Sequence, residues 1–243
     1  MNENMKNRIK KVVMAEFGIA PRVKVLTFGG AAGRIGEYIA KKDIAGVKVI
    51  AVNVDRKVEA LSVDRRMRIG KEILGVHSDT NGEVNVARYM VDRTKSWIIE
   101  EVRDADAVVL IAALGGGMGT GGLIETMRIL KSKITKPLLA IAVLPFSVER
   151  ERRRRAEEAL EIMEKEDLGT FVTFDSDLLL KKPTTTLAAG YESMYRDIFK
   201  MVERIAKVTV STIERKFEEL YLEEFDSIVE KKYAALKEEN MIL

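Results

Sequence analysis

The sequence predicts an α/β protein built on a Rossmann-like parallel sheet with helices on both faces, followed by a long helix and a helical C-terminal tail. Five short apolar runs, at residues 23–28, 47–53, 107–114, 138–144 and 170–174, alternate with longer helix-compatible stretches. That alternation marks strands buried on both faces and joined by helical crossovers. Each run is followed at once by glycine-rich or polar residues, the composition of strand-end loops. After Pro183 the glycine and proline signals nearly vanish, so residues 185–243 read as almost unbroken helix.

Ahead of the first strand, Met5, Ile9, Val12, Val13 and Phe17 recur at helical spacing, with Gly18 and Pro21 as stop signals. The expected organisation is an N-terminal amphipathic helix over 1–20, an α/β domain over 21–183, and a long core helix with a helical extension over 184–243. With 243 residues and 47% hydrophobic content, the chain has enough material for one full-sized core with appendages.

Composition narrows the function. The chain has no cysteine, no secretory leader pattern and no apolar run near the roughly 18 residues a membrane helix needs, so a cytoplasmic protein with no membrane partner is expected. The 41 Lys and Arg against 38 Asp and Glu give a net charge of only +3. Charge this balanced gives no general attraction to nucleic acid. The basic run of Arg150 and Arg152 to Arg155 is followed at i+4 by Glu157 and Glu158 and lacks an interleaved aromatic, which suits an ion-paired helix surface.

In parallel sheets of this kind, ligands bind beyond the carboxyl ends of the strands. The strongest motif sits there. Gly115, Gly116, Gly117, Met118, Gly119, Thr120, Gly121 and Gly122 lie between the strand ending at Leu114 and a helical stretch expected to begin near Leu123. Six glycines in eight residues let backbone N–H groups turn toward a phosphate at a helix N-terminus. A second glycine turn, Gly29, Gly30, Ala31, Ala32 and Gly33, follows the first strand. Asn53 and Asp55 follow the second, and Pro145, Phe146 and Glu149, with Arg153 four residues on, follow the fourth.

In this order the motifs resemble the tubulin/FtsZ superfamily, whose signature is a Gly-Gly-Gly-Thr-Gly-Thr-Gly phosphate loop after a central strand. Residues 115–121 match it except at Met118, and the resemblance runs through about residues 22–205. It implies GTP or GDP as ligand, with Mg2+ held through water near Asp55 and by no direct protein ligand. It places Gly29 to Gly33 on the α- and β-phosphates, Asn53 and Asp55 near the phosphates, and residues 115–121, through Gly117 to Thr120 above all, around the phosphate tail. Glu149 falls to the ribose, with Arg153 beside it, and Pro145 counts among the nucleotide-binding residues. The family's guanine-contacting Asn aligns with Asp175, whose carboxylate could accept from guanine N1–H and N2–H2 or could instead cap a helix. Tyr191 comes close to the base in an ungapped alignment, where a buried core tyrosine is the competing reading.

Departures accompany the match. Met118 lacks the hydroxyl of the threonine it replaces, for which slower hydrolysis or altered magnesium handling is the expected cost. The loop 75–82, where the family senses the γ-phosphate, has fewer glycines and carries the chain's single His77. The family completes hydrolysis in trans with a carboxylate loop after its long helix, and here only Glu224 and Asp226 offer carboxylates, in a stretch that also suits a solvated acidic helix face. Phe217, Leu220, Tyr221, Phe225, Ile228, Tyr233 and Leu236 lie at helical spacing and require burial, against this domain or a partner subunit.

The expected function is therefore an FtsZ/tubulin-like GTP-binding protein, a weak or self-association-dependent GTPase with a cytoskeletal or cell-division role. Its homo-oligomer would form through the nucleotide face or the C-terminal helices. The alternatives are a nonhydrolysing nucleotide-loaded scaffold, and a dinucleotide enzyme with Asp55 on an adenosine ribose, which leaves the second glycine motif without a role.

Overall fold

The structure is a computed structural model, and it describes residues 22–75, 79–180 and 186–238 together with Ile9 and Val12. Six parallel strands form one sheet in the order β3-β2-β1-β4-β5-β6. They are β1 (Val23–Phe28), β2 (Val47–Asn53), β3 (Arg65–Arg68), β4 (Ala107–Ala113), β5 (Leu138–Leu144) and β6 (Thr170–Asp175). The helices are α1 (Gly29–Ala40), α2 (Lys71–Leu74), α3 (Val84–Arg93), α4 (Lys95–Val102), α5 (Gly117–Lys131), α6 (Arg150–Lys165) and α7 (Leu187–Glu238), with 3-10 turns at Arg56–Ala60 and Ser176–Leu180. Among the described residues no helix is long and apolar enough to cross a membrane.

The five apolar runs are strands, and the sixth strand is an addition to them. β3 reads Arg-Arg-Met-Arg, with only Met67 buried. It carries no hydrophobic period because it lies at the sheet edge, where one strand neighbour and solvent suffice. Asp64, just before it, accepts from the Val49 N–H at 2.8 Å and from Lys48 Nζ at 2.9 Å, which ties the edge to β2. Burial alone would raise the Asp64 pKa; those two bonds outweigh it and hold the carboxyl below its ordinary value.

The two faces of the sheet are covered differently. Leu26, Phe28, Ile50, Val52, Leu110 and Ala142 share one core with apolar residues of α3, α4, α5 and α6. On the opposite face α1 lies so close that a Cβ at Gly36 would be 3.0 Å from Thr27 Cγ2 and 3.2 Å from Val49 Cγ1. Tyr38 of α1 meets Tyr195 and Phe199 of α7 with ring centroids 6.0 and 6.4 Å apart. Burying side chains such as Leu26 and Phe28 completely contributes about 1.5–3 kcal/mol each.

The chain divides into two compact units. Residues 22–205 form the α/β unit, and residues 1–21 with 206–243 form the other. In the second unit Ile9 and Val229 are buried, and Ile213, Ile228, Tyr233 and Leu236 pack against them. Part of the expected apolar stripe of the tail thus packs with Ile9. The side chains of Phe217, Leu220, Tyr221 and Phe225 lie outside the described residues, as do Met5, Val13 and Phe17.

Candidate functional site

The strand order makes one crevice special. β1 and β4 are neighbours, yet α1 leaves β1 toward one face and α5 leaves β4 toward the other, so the two turns face each other at the carboxyl edge. Their contact is close: a Cβ at Gly29 would lie 3.3 Å from the Gly119 amide nitrogen. Gly29 and Gly115 take φ of +83° and +89°, where an L side chain is strained. Neither α1 nor α5 has a side-chain cap hydrogen bond or an acidic residue in its first turn. Two helix N-termini thus bring first-turn amides and positive dipole ends to one place without protein anions to compensate them.

The glycine motif divides into two parts, and here the structure corrects the sequence reading. The helix begins at Gly117 rather than near Leu123. Most of the motif is consequently the first turns of α5, where small residues are required by packing. A Cβ at Gly119 would lie 2.0 Å from the Ala113 carbonyl oxygen, at Gly121 2.3 Å from the Val84 oxygen, and at Gly117 2.4 Å from Thr80 Oγ1. Gly116 and Gly30 differ, since a Cβ at either would meet nothing within 4 Å. At these two positions the bare backbone faces open space, which is what an approaching phosphate needs.

The other two residues of the motif turn inward. Met118 is 4% exposed and belongs to the core, its Cε beside Gly122. Thr120 is 2% exposed, and its hydroxyl accepts from the Gly115 N–H at 2.8 Å. The loop therefore offers a ligand chiefly backbone amides. Ala31 is exposed beside the crevice, whereas Ala32 and Gly33 are buried, Gly33 against Leu61.

After β2, Asn53 is buried and its Oδ1 accepts from the Val54 N–H, while Asp55 Oδ1 accepts from the Lys57 N–H at 2.9 Å. Both shape the turn that follows the strand. Asp55 keeps part of its carboxylate in solvent.

The far end of the site is assembled from side chains. Arg153 holds Asp175 with two bonds, Nη1 to Oδ1 at 2.8 Å and Nη2 to Oδ2 at 2.9 Å, and donates to the Pro145 carbonyl at 3.0 Å. Asp175, followed by Glu157, raises the Arg153 pKa further above its already high ordinary value. Asp175 Oδ1 also accepts from the Asp177 N–H at 3.0 Å, the capping geometry of the following 3-10 turn. Glu149, partly exposed, accepts from Arg152 Nη1. Tyr191 packs edge-on against Phe146 at 6.2 Å and lies 6.3 Å from Tyr195. Burial raises the Tyr195 pKa, with Arg34 opposing.

The fold thus brings residues 29–33, 53, 55, 115–121, 145, 149, 153, 175 and 191 to one edge of the sheet. Glu224 and Asp226 fall on α7 in the other unit, and their side chains, like His77 entirely, lie outside the described residues. Sequence reasoning did not find Thr80, which is 5% exposed and packs against Gly117. A polar residue in a polar loop gives no signal of burial.

"Cell division protein FtsZ 2" of Halobacterium salinarum is 29% identical over 198 residues, covering 79% of this chain and 48% of that protein. "Cell division protein FtsZ" of Aquifex aeolicus is 28% identical over 204 residues, 82% of this chain and 54% of that one. The chain spans about half the length of the curated relatives it matches. Among solved structures, the empty FtsZ dimer of M. jannaschii superposes with a TM-score of 0.70 at 22% identity, covering 84% of this chain and 59% of that one. CetZ2 from Haloferax volcanii, a protofilament with GTPγS bound, gives 0.65 at 18% identity, covering 79% and 59%. The model of the Tubulin/FtsZ family, GTPase domain, matches residues 22–182, and the chain belongs to that family.

Proposed function

We propose that the chain binds GTP or GDP in the crevice between α1 and α5 and hydrolyses GTP slowly, in a manner that depends on self-association. The observation that carries this reading is the meeting of two uncapped helix N-termini at the switch point, with Gly30 and Gly116 open toward it. A nucleotide tail fits this cradle, because its charge would complement both helix ends and its oxygens would accept from first-turn amides. Asn53 and Asp55 would lie near the phosphates, Glu149 near the ribose with Arg153 beside it, and Asp175 and Tyr191 near the base, with Pro145 also among the nucleotide-binding residues. Magnesium, when bound, would neutralise charge on the transferring phosphoryl group. The ion would be held by the phosphates and by water near Asp55.

In hydrolysis the protein's part would be positioning: amides fix the phosphates while a carboxylate from a neighbouring subunit, Glu224 or Asp226, orients the attacking water. A homo-oligomer through the nucleotide face or the C-terminal helices, a cytoplasmic location and a role in cell division or the cytoskeleton complete the proposal. The cell-division names and the protofilament of its relatives support that role.

A second reading is a nonhydrolysing module that keeps the nucleotide as a structural ligand. It is favoured by the inward turn of Met118 and Thr120, which leaves the loop without a free hydroxyl toward the phosphates. Phosphate release measured over a range of protein concentrations with magnesium separates the two. Specific activity that climbs with concentration, and falls in Glu224→Ala, supports the GTPase. Tight GTP binding without turnover at any concentration supports the module, and absence of guanine nucleotide binding contradicts both.

A further inference from the structure

The arginine run of α6 does more than coat a helix surface. Arg154 does behave as a surface residue, pairing with Glu151 and Glu158 of its own helix. Arg155 differs. Besides donating from Nε to the Glu151 carbonyl oxygen at 3.3 Å and lying 3.8 Å from its carboxylate, it donates from Nη1 to the carbonyl oxygen of Gly82 at 2.9 Å, across 73 residues of sequence, and its side chain is only 26% exposed. Gly82 lies in the loop between α2 and α3, whose next residues are wedged against the phosphate cradle. Thr80 packs on Gly117, the Glu83 carbonyl oxygen would be 2.9 Å from a Cβ at Gly117, and the Val84 oxygen 2.3 Å from one at Gly121. The loop is closed on itself by Thr80 N–H to Asp79 Oδ1 and Glu83 N–H to Thr80 O. Three residues earlier in α6, the Arg152 carbonyl oxygen would lie 2.5 Å from a Cβ at Gly115. One turn of α6 therefore touches both Gly115, just ahead of α5, and the loop that packs on the first turn of α5.

We infer that Arg155 is a positioning residue for the nucleotide site: it pins loop 79–83 against the first turn of α5 and so keeps the phosphate end ordered. The inference rests on the nucleotide reading for its functional part, while the pin itself stands on geometry alone. The Gly82 carbonyl is the only loop atom through which Arg155 is seen to act among the described residues, so the effect should pass through loop order and not through direct contact with nucleotide.

The test compares Arg155→Ala, Arg155→Lys and Arg154→Ala in the full chain by amide hydrogen exchange, GTP affinity and melting temperature. Losing a charge-assisted hydrogen bond should speed exchange at residues 80–83 about tenfold in Arg155→Ala. Exchange in β1 and β4 should stay unchanged, and GTP affinity should fall several-fold. Arg155→Lys, which keeps a donor for the Gly82 carbonyl, should recover much of both, and Arg154→Ala should alter neither. Loop exchange in Arg155→Ala no faster than in Arg154→Ala would overturn the pin. Faster loop exchange with unchanged GTP affinity would overturn its coupling to the site. If the unaltered chain binds no guanine nucleotide, the functional reading fails, and the exchange comparison still decides whether the pin exists.

Discussion

The two ends of the candidate site are built from different materials. At the proposed phosphate end the surfaces are backbone: Gly119 sits on the Ala113 carbonyl, Gly121 on the Val84 carbonyl, and the first turns of α1 and α5 carry no capping side chain. At the proposed base end the parts are side chains already engaged with one another, Arg153 with Asp175 and Phe146 with Tyr191. Backbone held by close packing has few alternative arrangements, whereas ion pairs and ring contacts can exchange partners. On the proposed reading the phosphate end is prebuilt, whereas Asp175 is already engaged by Arg153 and the Asp177 N–H where it would meet a guanine.

This contrast can be broken most forcefully within the glycine motif itself. Gly119→Ala places a methyl against backbone that cannot yield, and a loss of about 3 kcal/mol in unfolding free energy is expected by chemical denaturation. Unchanged stability would show that the α5 N-terminus is looser than its packing implies. Gly116→Ala should do the reverse. Its φ of −96° suits alanine and its Cβ direction is open, so stability should move by no more than about 0.5 kcal/mol. GTP affinity should fall about tenfold or more, as the methyl occupies space a phosphate needs and weakens an amide hydrogen bond. Gly117→Val, by contrast, would confuse the two effects, because Thr80 fills that direction.

At the base end the effect should appear in selectivity. Asp175→Ala should leave the fold intact at a loss of about 1–2 kcal/mol and remove most of the preference for GTP over ATP in competition binding. A preference that survives would assign base recognition elsewhere.

The smallest effect lies far from the site, at the sheet edge. Because the Asp64 pKa is lowered in the folded state, its stabilisation is present above the ordinary carboxylate range and is lost as pH falls through and below it. Asp64→Asn should cost about 1 kcal/mol or less near neutrality and flatten the acid limb of the unfolding curve. An acid limb as steep as that of the unaltered chain would remove Asp64 from the account.

Much of this architecture was legible in the sequence, for reasons that differ by element. Strands buried on both faces announce themselves as apolar runs, so β1, β2, β4 and β5 were readable; the edge strand β6 was readable from Phe171, Val172 and Phe174 although none of its residues is fully buried, while the arginine-rich edge strand β3 was not. The glycine motif was legible as a strand-to-helix junction, yet its density has a second cause that only contacts reveal: α5 approaches β4 and α3 too closely for side chains. Met118 reads as a lost hydroxyl in sequence and as a core residue in space. Contacts between distant segments, such as Arg153 with Asp175 and Thr80 with Gly117, follow from topology and leave no local pattern.

The most direct test of the central claim is amide hydrogen exchange of the full chain with and without GTP and magnesium. The account predicts protection concentrated at residues 29–33 and 116–119, the first turns of α1 and α5, with smaller changes near Asp175. Protection confined to other segments, with both turns unchanged, would contradict it.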